Sequence, residues 1–384
     1  MAWSENEIEN DDGEYIETFS AGGVPNLNAR AAILYDVTYD RILFEKNAKE
    51  KRANASTTKM LTALVAYENG NLDDVIEISK KAASTSGSSL HLKQGDKITL
   101  DSLIKGMLIR SGNDAAVAIA EYIAEDENTF SSLMNKKAEQ IGARDTHFVT
   151  PHGLDEEQHY TTATDLMLIA KDLLNTPYLV NIVSQKQLEI VVNGEKKLLT
   201  TTNELFSVYE GINGVKTGYT GRAGRCLVAS AKKRERQLIS VVLGCDSKKN
   251  RTIDTMRLLD YGFQEYHVTD LTQYAKKSFF AFVEKSEQGI YQIKRSGEIL
   301  YPIKEEEKNK ITVKNERITN LKAPLKAGEY LGNQQFYLGE NFIKKVEIYL
   351  PEDIQRKSWK IFFQKIFSDS LENYENMVEK IWKL

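Results

Sequence analysis

Asn54-Ala55-Ser56-Thr57-Thr58-Lys59-Met60 sets a hydroxyl and an amine at the spacing that brings them together at the start of a helix. Downstream, Met60, Leu61, Leu64 and Val65 recur at steps of three and four until Gly70, which predicts a buried helix over residues 56–69. Positions i and i+3 lie on one helix face, so the Lys59 amine can reach the Ser56 hydroxyl. Serine is a weak nucleophile at neutral pH. A neighbouring amine can take its proton if burial lowers the lysine pKa, and a helix N-terminus favours negative charge developing beside it. Ser-X-X-Lys is a loose pattern, however, and the chain holds a second copy, Ser102-Leu-Ile-Lys105. What separates the two copies is their surroundings.

The chain of 384 residues suggests two or three domains and is long enough to bury a catalytic core. With 41% hydrophobic and 28% charged residues it has the composition of a soluble globular protein, and a net charge of −4 gives no reason to expect nucleic acid. Two cysteines, Cys226 and Cys245, rule out a disulfide framework and a zinc site built on several thiolates. They fall on two expected hairpin strands, 224–231 and 237–244, where a disulfide between them stays open. His147, His152 and His159 show no metal-ligand spacing and are read as structural; no metal and no cofactor is expected. The first nineteen residues carry seven acidic and no basic side chains, so they are read as part of an acidic disordered tail over residues 1–26, and not as a signal peptide.

Residues 31–36 and 42–45 read as a hairpin. Residues 71–100 mix turn residues and short apolar pairs and are expected to be irregular. Leu100, Leu103, Ile104, Met107 and Leu108 then mark a helix capped by Thr99, which puts Ser102 and Lys105 on its solvated side. Arg110-Ser111-Gly112-Asn113-Asp114 breaks to a further helix and projects a hydroxyl and a carboxamide from the corner. Helices are expected near 128–141 and 163–174, then strands at 188–192, 197–201, 224–231 and 238–243, and a helix over 252–261. This order points to an α+β fold in which an antiparallel sheet is covered by helices. Gly214-Val-Lys216-Thr217-Gly218-Tyr219 lies between strands; its lysine and threonine suit an anion, and its glycine allows close backbone approach. Residues 266–350 carry short alternating runs and read as a small all-β module. Over residues 351–384, Trp359, Phe362, Phe363, Ile366, Phe367, Leu371, Tyr374, Val378 and Ile381 form an aromatic stripe. With Arg356, Lys357, Lys360 and Lys365 beside it, the helix suits either a packed partner or an interfacial membrane anchor.

Ser-X-X-Lys, Ser-X-Asn and Lys-Thr-Gly follow one another at Ser56, Ser111 and Lys216, the ordered set of β-lactamases and penicillin-binding proteins. With Thr146-His-Phe-Val, His152-Gly-Leu-Asp and Gly214-Val-Lys-Thr-Gly-Tyr-Thr, residues 28–265 resemble the serine-type D-alanyl-D-alanine carboxypeptidases, the low-molecular-mass penicillin-binding proteins. The resemblance implies a transpeptidase/β-lactamase-like domain over 27–265, formed by an antiparallel sheet flanked by helices and a helical subdomain. It is followed by the small all-β domain and the terminal amphipathic helix. It also implies an extracytoplasmic enzyme of the cell envelope, peripherally membrane-associated through that helix, whose partners are stem peptides ending in D-alanyl-D-alanine and β-lactam antibiotics. Carried over by motif, Ser56 is the acylated nucleophile and Lys59 the base, Ser111 relays a proton, and Asn113 holds the substrate amide. Lys216, Thr217 and Gly218 form the carboxylate side, and the N–H groups of Ser56 and Tyr219 form the oxyanion hole. Arg251, ahead of Gly262-Phe263, resembles the family's carboxylate-binding arginine.

Two rivals carry less. A class A-like β-lactamase would supply a deacylating glutamate, yet residues 150–180 hold Glu156 and Glu157 without a Glu-X-X-X-Asn pattern. A non-catalytic peptidoglycan-binding relative has no need of all six polar motif residues.

Overall fold

The computed structural model describes residues 23–295 and 297–382, together with two short strands, Glu7–Glu9 and Tyr15–Glu17, paired antiparallel. The acidic tail expected over residues 1–26 otherwise lies, up to residue 22, outside the described residues. The chain divides into two units, Met1–Glu265 and Tyr266–Leu384.

The first unit is α+β. In chain order it contains β1 (Ala31–Asp36), β2 (Arg41–Lys46), α1 (Lys59–Asn69), α2 (Leu100–Ile109), α3 (Asn113–Ala124), α4 (Glu127–Gln140) and α5 (Ala163–Leu174). It closes with β3 (Ile212–Thr220), β4 (Gly224–Lys233), β5 (Arg236–Cys245) and α6 (Lys248–Glu265). The five strands pair antiparallel in the order β2-β1-β5-β4-β3, which leaves β3 at an edge. Side chains alternate between faces along a strand. On one face Ile33, Tyr35, Ile239, Val241 and Leu243 join the buried core that includes Met60, Leu61 and Leu64 of α1. On the other, Leu34 and Leu238 close on Gly262 of α6, where a Cβ would stand 2.8 and 2.6 Å from their methyls. Because both faces are covered, β1 and β5 read as continuous apolar runs.

Residues 71–100 are more regular than expected. Val75–Glu77 and Lys97–Thr99 are strands of a second sheet, completed by the hairpin Gln187–Val192 and Glu195–Thr200, and Lys80–Ala83 is a single helical turn. These three-residue strands depend on a distant partner, which local pattern does not reveal. Thr99 caps α2, its Oγ1 accepting from the Ser102 N–H at 3.2 Å. Ser102 is buried, not solvated: its Oγ accepts from the Val191 N–H at 3.3 Å because α2 lies against that second sheet. The hairpin brings Cys226 and Cys245 onto adjacent strands, but a bulge between Arg225 and Leu227 shifts the register so that Cys245 faces Arg225; both thiols are buried and free.

The second unit is built from short strands. Ile311–Arg317, Tyr330–Leu338 and Asn341–Tyr349 form one sheet, and Ser278–Glu284 pairs with Ile290–Lys294 and Leu321–Lys322 in another. A small core of Phe279, Val283, Ile293, Leu331, Ile348 and Leu350 holds it together. It ends in α7 (Trp359–Trp382), on which Trp359, Phe363, Ile366, Phe367, Leu371 and Tyr374 are exposed; the side chains of Lys360, Phe362, Lys365 and Ile381 lie outside those described. Among the described residues no single helix is long and apolar enough to cross a membrane.

Candidate active site

The helix predicted from Ser56 begins differently. Ala55–Thr58 forms a 3₁₀ turn, and the α-helix starts only at Lys59. In a 3₁₀ turn positions i and i+3 are eclipsed, more closely aligned than on an α-helix. The result is a direct contact: Lys59 Nζ donates to Ser56 Oγ at 2.9 Å. The same amine donates to Asn113 Oδ1 at 2.6 Å and to the His152 carbonyl at 2.8 Å, so all three of its protons are directed. Lys59 is fully buried. That burial holds its pKa well below the ordinary lysine range; the positive charge of Lys216 lowers it further and the carboxylate of Asp114 opposes both.

Asn113 opens α3, and Ser111 just before it sits at φ +67°, in left-handed backbone that a side chain seldom adopts. The segment 86–92 clamps this corner. Asn113 N–H donates to the Ser88 carbonyl at 2.7 Å and its carboxamide to the Ser86 carbonyl at 2.6 Å. The buried Asp114 carboxylate accepts from Ser89 Oγ at 2.6 Å and from the Leu90 and Leu92 N–H groups. Asp114 belongs to no motif, although an acid in the first turn of α3 was visible in the sequence.

Lys216 enters from β3. Its Nζ donates to Ser111 Oγ at 2.9 Å and to the Thr217 carbonyl at 3.0 Å. Burial pushes this lysine down to about 7, with the charge of Arg251 acting in the same direction. Gly218 has a different local task from the one its sequence suggested. A Cβ there would stand 2.9 Å from the Asn54 carbonyl and 3.1 Å from the Ser56 nitrogen, so its bareness lets β3 lie against the nucleophile's turn. Tyr219, the next residue, is exposed.

Thr217 Oγ1 lies 2.6 Å from Thr202 Oγ1, on the connector that follows the second sheet. Two residues on, Glu204 engages Arg251: one carboxylate oxygen accepts from the guanidinium and, at 2.7 Å, from Thr252 Oγ1. Burial alone raises the Glu204 pKa, but Arg251 and Thr252 hold it below its usual range. Arg251 is therefore near Lys216, yet buried and already paired inside the protein, a circumstance that its position in the sequence did not indicate. Neither Thr202 nor Glu204 sits in a recognisable pattern; only the folded connector brings them to β3 and α6.

The histidines stand behind the nucleophile. His159 Nδ1 accepts from the Val149 N–H at 3.1 Å, which leaves Nε2–H to donate to Thr58 Oγ1 at 2.8 Å. Burial holds His159 at about 4 and His152 at about 3, so both are neutral at physiological pH.

The structure thus gathers Ser56, Lys59 and Asn113 into one hydrogen-bonded group and Ser111 and Lys216 into a second, close enough for the Lys216 charge to act on Lys59, with Thr217 and Tyr219 on the same edge strand as Lys216. A hydroxyl held by a desolvated amine, next to a second hydroxyl–amine pair, is chemically suited to nucleophilic acyl transfer.

A family model described as D-alanyl-D-alanine carboxypeptidase matches residues 18–247, and one described as penicillin-binding protein 5, C-terminal domain, matches residues 273–356. The D-alanyl-D-alanine carboxypeptidase DacF of Bacillus subtilis is 33% identical over 348 residues, which cover 89% of this chain and 90% of that protein. The crystal structure of the D-alanyl-D-alanine carboxypeptidase DacD from Francisella tularensis matches with a TM-score of 0.69 and 29% identity, covering 91% of this chain and 99% of the other. Penicillin-binding protein D2 from Listeria monocytogenes, solved in an ampicillin-bound form, matches with a TM-score of 0.57 and 30% identity, over 62% of this chain and all of its own.

Proposed function

The chain belongs to the D-alanyl-D-alanine carboxypeptidase family, and from that premise we propose that Ser56 is its acylated nucleophile and Lys59 the base that activates it. The enzyme is a serine D,D-carboxypeptidase. It removes the terminal D-alanine of peptidoglycan stem peptides, is acylated by β-lactams, and acts outside the cytoplasm in the cell envelope.

The observation that carries the residue roles is the Lys59 amine, fully buried and 2.9 Å from Ser56 Oγ. In its neutral form Lys59 takes the Ser56 proton as Oγ attacks the penultimate D-alanine's carbonyl carbon. The oxyanion is met by the N–H groups of Ser56 and Tyr219, a type of contact worth about 2.7–4 kcal/mol per donor in serine hydrolases. As the tetrahedral intermediate collapses, the leaving amine takes a proton from Ser111, Lys216 resupplies Ser111, and the proton that Lys59 gained passes on to Lys216, which leaves Lys59 neutral again. Water then attacks the acyl-enzyme with Lys59 again as base, which releases the shortened peptide and restores the serine. Asn113 orients the substrate amide, and Thr217, with Lys216 and Arg251 behind it, faces the terminal carboxylate. Incubation with a peptide ending in D-alanyl-D-alanine should release D-alanine, and peptide mapping after benzylpenicillin exposure should locate one adduct, on Ser56. An adduct elsewhere refutes the assignment.

For α7 we propose peripheral attachment to anionic bilayers. The exposed Trp359, Phe363 and Phe367 supply apolar area, and Arg356 and Lys357 supply charge. The chain ended at residue 350 should release D-alanine at the full rate but lose binding to vesicles containing anionic lipid; equal vesicle binding with and without the segment refutes it.

A further inference from the structure

At the outer end of β3, the Arg225 guanidinium carbon lies over the Tyr219 ring, 3.6 Å from its centre. The two residues are direct cross-strand partners, Arg225 on β4 and Tyr219 on β3. Tyr219 is 55% exposed, so the pair stands at the surface, and among the described residues no carboxylate pairs with Arg225. This differs from the other cations of the region. Arg222 is consumed by the Glu156 and Glu157 carbonyls, Arg251 by Glu204, and Lys59 and Lys216 by the catalytic cluster. Arg225 is thus a positive charge fixed in direction by an aromatic ring and left without a counter-charge.

Its position relative to the substrate follows from the strand. β3 is a sheet edge, and Gly218 brings that edge against the Ser56 turn. On the reading given above, the terminal carboxylate faces Thr217 and the scissile carbonyl lies between Ser56 and the Tyr219 N–H. The substrate's acyl part must then continue past Tyr219 towards Thr220, antiparallel to β3. An extended chain advances about 3.3 Å per residue. The residue preceding the penultimate D-alanine therefore passes the end of β3, where its side chain is in reach of Arg225.

We propose that the Tyr219–Arg225 pair is a specificity-determining subsite that selects stem peptides whose third residue carries a free side-chain carboxylate, over those in which that group is an amide or is missing. The inference rests on the carboxypeptidase reading and on the carboxylate facing Thr217. A guanidinium donates two parallel hydrogen bonds to a carboxylate, and its contact with the ring holds it in place beforehand, so less rotamer freedom is lost on binding. An amide in the same place offers one acceptor and no charge.

The test uses the full chain and two peptides ending in D-alanyl-D-alanine that differ only in carboxylate against carboxamide on the third residue's side chain. The native enzyme should favour the carboxylate by roughly tenfold in kcat/KM, chiefly through KM, as expected when one charge-assisted contact is lost. The preference should shrink at high salt. R225Q should bring the ratio close to one by raising KM for the carboxylate peptide, with benzylpenicillin acylating Ser56 at the native rate, and R225K should keep part of the preference. A native ratio of one, or a ratio that survives R225Q, overturns the proposal. If R225Q loses penicillin acylation and so proves misfolded, the native ratio and its salt dependence decide alone. Release of D-alanine from neither peptide would refute the carboxypeptidase reading itself, an outcome distinct from equal cleavage of both.

Discussion

The Ser-X-X-Lys segments at Ser56 and Ser102 fold into opposite circumstances. At Ser56 the serine sits in a 3₁₀ turn, and the lysine, cut off from water, has the serine hydroxyl among its three acceptors. At Ser102 the serine lies inside α2 and accepts from the Val191 N–H, while Lys105 remains partly exposed and donates to the Asp101 carboxylate, one turn back, at 2.7 Å. Each serine and each lysine has a satisfied neighbourhood, but only the first pair satisfies each other. The difference lies in the lysine's partners: Lys59 donates to the serine hydroxyl and two amide oxygens, and Lys105 to a carboxylate.

Removing single side chains from the two copies tests this contrast most severely at the serines. Ser56→Ala should lower D-alanine release by on the order of 10⁴-fold or more and abolish penicillin labelling, as removal of the nucleophile does in other serine hydrolases. Ser102→Ala should leave labelling intact, and the contrast breaks if the two variants behave alike. At the next level, Lys59→Ala should slow acylation by about 10²–10⁴-fold, the usual share of a general base, whereas Lys105→Ala should match the native rate. Stopped-flow acylation by a chromogenic β-lactam distinguishes them.

The pH profile sharpens the contrast without mutation. As the proposed base, Lys59 acts when neutral, so kcat/KM should climb as pH rises through its depressed pKa. Lys216 is more useful protonated, so the rate should fall again above about 7 as that amine loses its charge. Such a bell requires two desolvated lysines, and a profile flat between pH 5 and 9 would show that neither titrates in the free enzyme.

Arg251→Ala should cost roughly 1.5–3 kcal/mol in kcat/KM for peptides with a free terminal carboxylate, the loss of one charge-assisted hydrogen bond. Amide-capped analogues should lose less. Equal loss for both would make the Glu204–Arg251 pair an internal brace. The smallest effect belongs to the second copy: Ser102→Ala removes one hydrogen bond between α2 and the second sheet and should lower unfolding free energy by about 1 kcal/mol with unchanged activity.

What could be read in the sequence follows the range of the interactions involved. The helices α2, α5 and α6 announce themselves by local periodicity, and Thr99 and Thr162 cap α2 and α5 by contacts three residues away. The spacing of Ser56 and Lys59 was enough to anticipate their contact. Illegible were features whose partner is far along the chain: the strands Val75–Glu77 and Lys97–Thr99, burial of Ser102 against Val191, Thr202 on Thr217 and Glu204 on Arg251. The last two engage residues of the proposed carboxylate side, and both come from a connector without periodicity, cap or turn signal.

Two buried amines whose protons are held loosely also make the enzyme a proton donor when it folds. Between about pH 7, where Lys216 titrates in the native state, and 10.5, where a lysine titrates in the unfolded chain, the unfolded form binds the extra proton. Unfolding in that window takes up protons, so each step towards alkaline pH shifts the balance to the native state, and below about 7 this group adds no further slope. Lys59, depressed in the same direction, adds to the effect. The protein therefore sacrifices conformational stability at neutral pH to keep its amines dry, and calorimetry in buffers of different ionisation enthalpy would read the exchanged protons directly.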